Sequence, residues 1–107
     1  MAEISIQSTN TVPVHRLYLG SHSGAAWKPL YRDAVISEAV NHFGNFTIGD
    51  VEGYWDGRSI PTLVLCIGTT DTARVKLLAD VIGRITRQKE VGLEVNGQYQ
   101  ALKTNPN

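Results

Sequence analysis

Apolar and polar residues alternate in three parts of the chain, and this period of two predicts β-strands. The first part is Val14–Gly20. The second is residues 46–68, which ends in the apolar run 63–67 and predicts a β-hairpin that turns at Asp56-Gly57. The third is residues 90–96. The pattern therefore predicts four strands.

A period close to 3.6 residues predicts two helices between these strands. Apolar residues three and four positions apart span residues 30–43 and residues 72–87. The second of these helices follows Asp71, a residue type that favours helix N-termini. The order β-α-β-β-α-β predicts a ferredoxin-like α+β fold, with two helices on one face of a four-stranded antiparallel sheet of order 4-1-3-2.

The polar ends of the chain set the predicted domain limits. Residues 1–13 end at a proline and predict a flexible N-terminal arm. Residues 14–97 form the single ferredoxin-like domain, and residues 98–107 are predicted to be a polar C-terminal tail.

The second strand of the hairpin is apolar on both of its faces. Leu63, Leu65 and Ile67 lie on one face, while Val64 and Cys66 lie on the other. Because two helices cover one face of a sheet, the other face requires a second copy of the chain, a partner or a ligand. We therefore expect a homo-oligomer. Alternation also places polar residues on this second face, namely Arg16, Tyr18, Glu94 and Asn96.

Composition narrows the classes of partner. The 107 residues include ten basic and ten acidic side chains, and this balance makes nucleic acid an unlikely main partner. No stretch approaches the roughly 20 apolar residues of a membrane span, and the amino terminus lacks the pattern of a secretory signal. The single cysteine, Cys66, is predicted to be a small buried residue in a reduced compartment. We expect a cytoplasmic protein.

Three loops of the predicted fold emerge at the same end of the sheet and bring aromatic and basic residues together. These candidate ligand-binding residues are Trp27, Lys28, Tyr54, Trp55, Arg58, Arg87 and Lys89. Aromatic faces flanked by cations suit an anionic, nucleotide-like ligand, because stacking contributes about 1 to 3 kcal/mol per base and arginine binds phosphate. The alternative is that the aromatic residues fill an oligomer contact and the cations form a solvated rim.

Known catalytic patterns are not evident along the chain. His15, His22 and His42 are scattered, without a carboxylate placed by sequence to orient an imidazole. No His, Cys and carboxylate cluster predicts a metal site, no glycine-rich loop predicts a phosphate cradle, and the central strand lacks the aromatic pattern of RNA-recognition domains. The sequence thus predicts a protein that is not an enzyme and has no cofactor or catalytic residues.

About half of the chain resembles small proteins carried by bacteriophages and some bacteria. The shared pattern comprises Phe43-Gly44, Gly53-Tyr54-Trp55, the apolar residues 63–67, the helical residues 75–85, and Gln88 with Glu90. The hairpin is also distantly similar to that of the CutA and PII proteins, ferredoxin-like trimers of which PII binds nucleotides, although the long regulatory PII loop is missing here.

The phage resemblance implies a small accessory protein that acts by binding. The leading expectation is a non-enzymatic oligomer that binds, and in a phage sequesters, a nucleotide-like small molecule in counter-defence. One alternative is an interaction module that inhibits a host protein through its apolar sheet face. Another is a small cofactor-free enzyme of ferredoxin-like fold, with a histidine or a hairpin carboxylate as its base.

Overall fold

A five-stranded antiparallel sheet and two helices make up the part of the protein that the computed structural model describes, residues 11–21 and 24–104. The strands lie in the order β2-β3-β1-β4-β5. The elements are β1 (Val14–Gly20), α1 (Pro29–His42), β2 (Thr47–Trp55), β3 (Arg58–Gly68), α2 (Thr72–Ile85), β4 (Glu90–Val95) and β5 (Gln98–Lys103).

The prediction of a four-stranded ferredoxin-like fold is wrong, because β5 adds a strand to the edge of the sheet and a seventh element to the order. β5 lies in the segment that was predicted to be a polar tail. Asn96 and Gly97 join it to β4, with φ angles of 54° and 72°. Asn-Gly is a strong signal for such a two-residue hairpin turn. The polar composition of β5 concealed the strand, since only Leu102 packs against the core.

The core lies between one face of the sheet and the helices. The side chains of Leu17, Leu65 and Leu93 come from β1, β3 and β4, and all are fully buried. α2 covers them with a buried stripe that includes Leu78 and Ile82. Burial of a leucine-sized side chain contributes roughly 1.5 to 3 kcal/mol, so this layer is the main source of stability.

α2 begins where the sequence predicts, because the side chain of Asp71 accepts a 3.0 Å hydrogen bond from the backbone N–H of Arg74. The Asp56-Gly57 turn of the hairpin is also confirmed. Its two φ angles, 51° and 75°, are those of a tight turn that only a few residue types adopt.

The opposite face of the sheet, here called the open face, carries no helix in the described part of the chain. Val64 and Cys66 lie on it and are only partly buried. Cys66 is therefore not the core residue that its apolar strand predicted. The prediction of an oligomer that covers this face stays a prediction. No helix among the described residues is long and apolar enough to cross a membrane.

Candidate functional site

Three aromatic side chains from three different strands surround a groove on the open face. They are Tyr18 of β1, Trp55 of β2 and Tyr99 of β5. All three line two adjoining cavities of about 480 Å³ and 450 Å³. We call these two cavities together the sheet groove. Each is large enough for a drug-sized or nucleoside-sized ligand.

Glycines beneath two of the rings create the space for the groove. A Cβ atom on Gly53 would lie 2.9 Å from Nε1 of Trp55, and one on Gly92 would lie 2.7 Å from Cε2 of Tyr99. The indole N–H of Trp55 donates a 3.4 Å hydrogen bond to Oγ1 of Thr62. The two rings therefore rest on bare backbone, an arrangement that any larger residue would prevent.

Among the described residues, three carboxylates line the groove, those of Glu52, Glu90 and Glu94, and the last is held by a side-chain hydrogen bond. The hydroxyl of Tyr18 donates a 2.7 Å hydrogen bond to Oε1 of Glu94, and Nη1 of Arg16 lies 3.7 Å from Oε2. The bond to Glu94 and burial raise the pKa of Tyr18 to about 12. Burial, together with the charge of Glu90, raises the pKa of Tyr99. Both phenols stay neutral at physiological pH.

Two of the rings lie close enough to bound a single ligand. The ring centroids of Tyr18 and Tyr99 are 6.2 Å apart, and their planes are tilted by 52°. Trp55 lines the same cavities. Neutral aromatic faces next to a carboxylate form a site that suits an organic cation.

A turn between α2 and β4 closes one end of the groove with nitrogen donors. Arg87, Gln88 and Lys89 all line the larger cavity, and we call these three residues the donor turn. Nε2 of Gln88 is buried and has no hydrogen-bond partner among the residues that the structure describes. Arg87 has a φ angle of 59°, in the left-handed region that favours glycine.

The predicted site residues do not all meet in one place. Trp55, Arg87 and Lys89 line the larger cavity of the sheet groove, and Tyr54 lines the other. Arg58 lines neither of them.

Trp27 and Lys28 line a separate cavity of about 230 Å³. It shares two lining residues, Ser21 and Arg87, with the larger cavity of the groove. The loop after β1 therefore contributes to a second pocket beside the groove, and Trp27 packs against the core.

Several groove residues were outside the predicted site. Tyr18 and Glu94 were expected on the open face, but nothing in the sequence indicated that they lie close to the aromatic residues of the hairpin. Tyr99 was assigned to the tail and was missed with β5. The glycine spacing in β2 and the Asn-Gly turn before Tyr99 are the signals in the sequence that point to the groove.

Metal ions are not favoured by the described residues, since no group of three or more His, Cys, Asp or Glu side chains lies close enough to hold one. His15 is fully buried beneath α2, with Nε2 2.8 Å from Oγ1 of Thr72. It lies among the core residues and not in the groove.

No protein-family model matches the chain, and no curated protein matches it. Two solved structures do. One is a phage SAM lyase in complex with S-methyl-5'-thioadenosine, with a TM-score of 0.68 and 11% sequence identity over 94% of this chain and 96% of that one. The other is a phage SAM lyase in the apo state, with a TM-score of 0.65, the same identity and the same coverage. The chain shares the fold of these proteins.

These comparisons bear on two expectations. Both neighbours are phage proteins, which agrees with the phage resemblance at that coarse level. The prediction that the protein is not an enzyme is contradicted, because an enzyme is built on the same fold. That prediction was based on the absence of a known catalytic motif from the sequence. The absence of a motif does not exclude an enzyme, since a lyase has the same fold.

Proposed function

We propose that this protein binds S-adenosylmethionine (SAM) in the sheet groove and cleaves it to S-methyl-5'-thioadenosine. The observation that carries the proposal is the groove itself, in which Tyr18, Trp55 and Tyr99 line both cavities and Glu94, bonded to Tyr18, lines one of them. The shared fold with a SAM lyase that binds methylthioadenosine supports the choice of ligand.

The sulfonium of SAM is a methylated cation. A site that combines aromatic rings with a carboxylate binds such a cation better than a carboxylate alone. A cation over an aromatic face gains about 0.5 to 2 kcal/mol, with more when water is excluded. Glu94 adds a negative charge, and the bond from Tyr18 holds that carboxylate in place. The adenine ring has Trp55 and Tyr99 available for stacking, worth about 1 to 3 kcal/mol.

Cleavage needs no external nucleophile. The bond between sulfur and Cγ of the methionyl arm breaks, and its electron pair stays on sulfur to give the neutral thioether. A carboxylate oxygen of the same arm forms a bond to Cγ, so that the second product is homoserine lactone. No proton is transferred. Because a cation and an anion neutralise each other in this step, aromatic walls that replace part of the solvent around the two charges favour the transition state over the charged substrate.

The alternative route removes a proton from Cβ and requires a base. Tyr18 does not suit this role, because its hydroxyl donates to Glu94 and its pKa is raised to about 12. The route without a base also explains how an enzyme can lack a recognisable catalytic motif. In a phage-infected cell, loss of SAM would remove the methyl donor of the host, which agrees with a counter-defence role.

Incubation of the purified protein with SAM, followed by liquid chromatography and mass spectrometry, tests the proposal. We expect methylthioadenosine and homoserine lactone in equal amounts. Glu94→Gln should slow the reaction strongly, while Glu38→Gln, on α1 and outside both cavities of the groove, serves as the matched control. Intact SAM after prolonged incubation would refute lyase activity. Formation of 2-aminobut-3-enoate in place of the lactone would show that the reaction is an elimination.

A further inference from the structure

The donor turn is the part of the groove whose chemistry the aromatic site does not use. We propose that Arg87, Gln88 and Lys89 bind the α-carboxylate of the substrate and thereby select ligands that carry an amino-acid arm. This inference rests on the proposed function, since it assigns one end of the same ligand. It adds a carboxylate subsite to the sulfonium and adenine sites.

Gln88 supplies the first observation. Its side-chain nitrogen is buried and makes no hydrogen bond within the described part of the chain, although the residue lines the cavity. A buried donor without a partner costs roughly 1 to 3 kcal/mol, and native proteins seldom leave one unpaired. A carboxylate oxygen in the cavity would accept this hydrogen bond.

The backbone of Arg87 supplies the second observation. α2 ends in a Schellman motif, in which the N–H of Gln88 donates to the carbonyl of Gly83 at 2.7 Å and that of Arg87 to the carbonyl of Arg84 at 3.2 Å. Glycine is the usual residue at the position of Arg87, because φ is 59° there. An arginine held in this strained position indicates a role for its side chain, and this side chain lines the cavity.

Charge is arranged along the groove in the same sense. The larger cavity is lined by Arg87, Lys89 and Glu90, so its cations outnumber its carboxylates, whereas the charged residues that line the other cavity are Glu52 and Glu94. The methionyl arm of SAM has a carboxylate at one end and the sulfonium at the other. Binding in this direction places the carboxylate near Arg87 and Lys89 and the sulfonium near Glu94, and the α-ammonium group beside the carboxylate has Glu90 in the same cavity.

Thr104, the residue that follows β5, holds the donor turn in position. The backbone N–H of Thr104 donates a 2.9 Å hydrogen bond to the carbonyl of Lys89, and its hydroxyl donates to the carbonyl of Gln88. Two donors that hold one carboxylate oxygen leave the other oxygen free to close on Cγ. The fixed turn would thus orient the nucleophile of the substrate itself.

Calorimetric titration with two uncleaved probes tests the inference. S-adenosylhomocysteine carries the amino-acid arm, and methylthioadenosine lacks it. Gln88→Glu preserves the shape of the side chain. We expect it to weaken the binding of S-adenosylhomocysteine by about tenfold or more, because a hydrogen bond to a charged group is lost. The affinity for methylthioadenosine should change by less than about twofold. The control is Gln100→Glu, the same substitution at an exposed position of β5, which should affect neither probe.

Gln88→Leu provides a second variant that adds no charge, and circular dichroism checks that each variant is folded. Equal losses for both probes, or no loss for either, would overturn the carboxylate subsite while the proposed function stands. If the unmodified protein binds neither probe nor cleaves SAM, the proposed function fails and this inference fails with it.

Discussion

The hydroxyl of Tyr18 donates a 2.7 Å hydrogen bond to the carboxylate of Glu94, although 76 positions separate the two residues in the chain. The pairing of β1 with β4 brings them together, because Tyr18 lies opposite Gly92 and Arg16 lies opposite Glu94. Gly92 leaves the space over which the ring of Tyr99 lies. One register therefore positions the carboxylate and two of the three rings of the groove.

The pair makes a prediction for alkaline pH. Since the bond to Glu94 raises the pKa of Tyr18 from 10.0 to about 12, the neutral phenol is favoured in the folded state. The stability that this provides is present below pH 10 and is lost as the pH rises through 12. Ultraviolet titration of the phenols should show a step near pH 12 that belongs to Tyr18, in addition to the raised pKa of Tyr99, and Glu94→Gln should shift the Tyr18 step toward 10.

The control for this titration is Tyr18→Phe, which should abolish the late step and leave the other phenols unchanged. The difference in unfolding free energy between this variant and the original protein should shrink between pH 9.5 and about 12. A late step that survives Tyr18→Phe would show that another tyrosine is responsible.

The glycine under Trp55 makes a second prediction. Gly53→Ala places a Cβ atom against Nε1 of Trp55 and against the buried Thr62, so the indole must move outward. Gly49 lies on the same strand and the same face, and a Cβ atom added there would have no neighbour within 4 Å. We expect Gly53→Ala to weaken methylthioadenosine binding by about tenfold through lost stacking, and Gly49→Ala to leave it unchanged.

Fluorescence in a Trp27→Phe background reports this change directly, because Trp55 is then the only tryptophan of the chain. Its emission should shift to longer wavelength in Gly53→Ala. An unshifted spectrum with normal binding would show that the ring does not depend on the bare backbone beneath it.

β5 leads to a third prediction, which separates a strand from a tail. Leu102 pairs with Val91 and packs against the core, whereas Gln98 is exposed. Leu102→Ala should lower the free energy of unfolding by about 1 to 3 kcal/mol, and Gln98→Ala should change it by less than about 0.5 kcal/mol. Chemical denaturation measures both, and two neutral substitutions would mean that this segment does not contribute to the folded domain.

The missed strand β5 shows why the fold was only partly predictable from the sequence. Apolar periodicity is strong where a strand is covered on at least one face, and the bounds of β1 were predicted to the residue for that reason. β5 is an edge strand whose residues are mostly exposed, so it shows almost no periodicity. The Asn96-Gly97 turn was the available signal, and it depends on backbone geometry rather than on hydrophobicity.

The site was predictable to a similar extent. Trp55, Arg87 and Lys89 were expected to converge because loops at one end of a sheet lie close together, and they do line one cavity. Trp27 and Lys28 line the neighbouring cavity instead. Spacing along the chain cannot resolve two pockets that share a wall, and it cannot show which glycines leave room for a ring.

Arg87 makes the last prediction, in which stability and binding change in opposite directions. Arg87→Gly relieves a left-handed backbone conformation that costs on the order of 1 kcal/mol, so the protein should become more stable in thermal denaturation. The same change removes a cation from the groove, and S-adenosylhomocysteine should bind more weakly. Arg84→Gly, one turn earlier inside α2, is the matched control. It should cost about 1 kcal/mol of stability, because glycine is a poor helix former, and should leave binding unchanged. If Arg87→Gly lowers stability or spares binding, the arginine is held at this position for packing and not for a ligand.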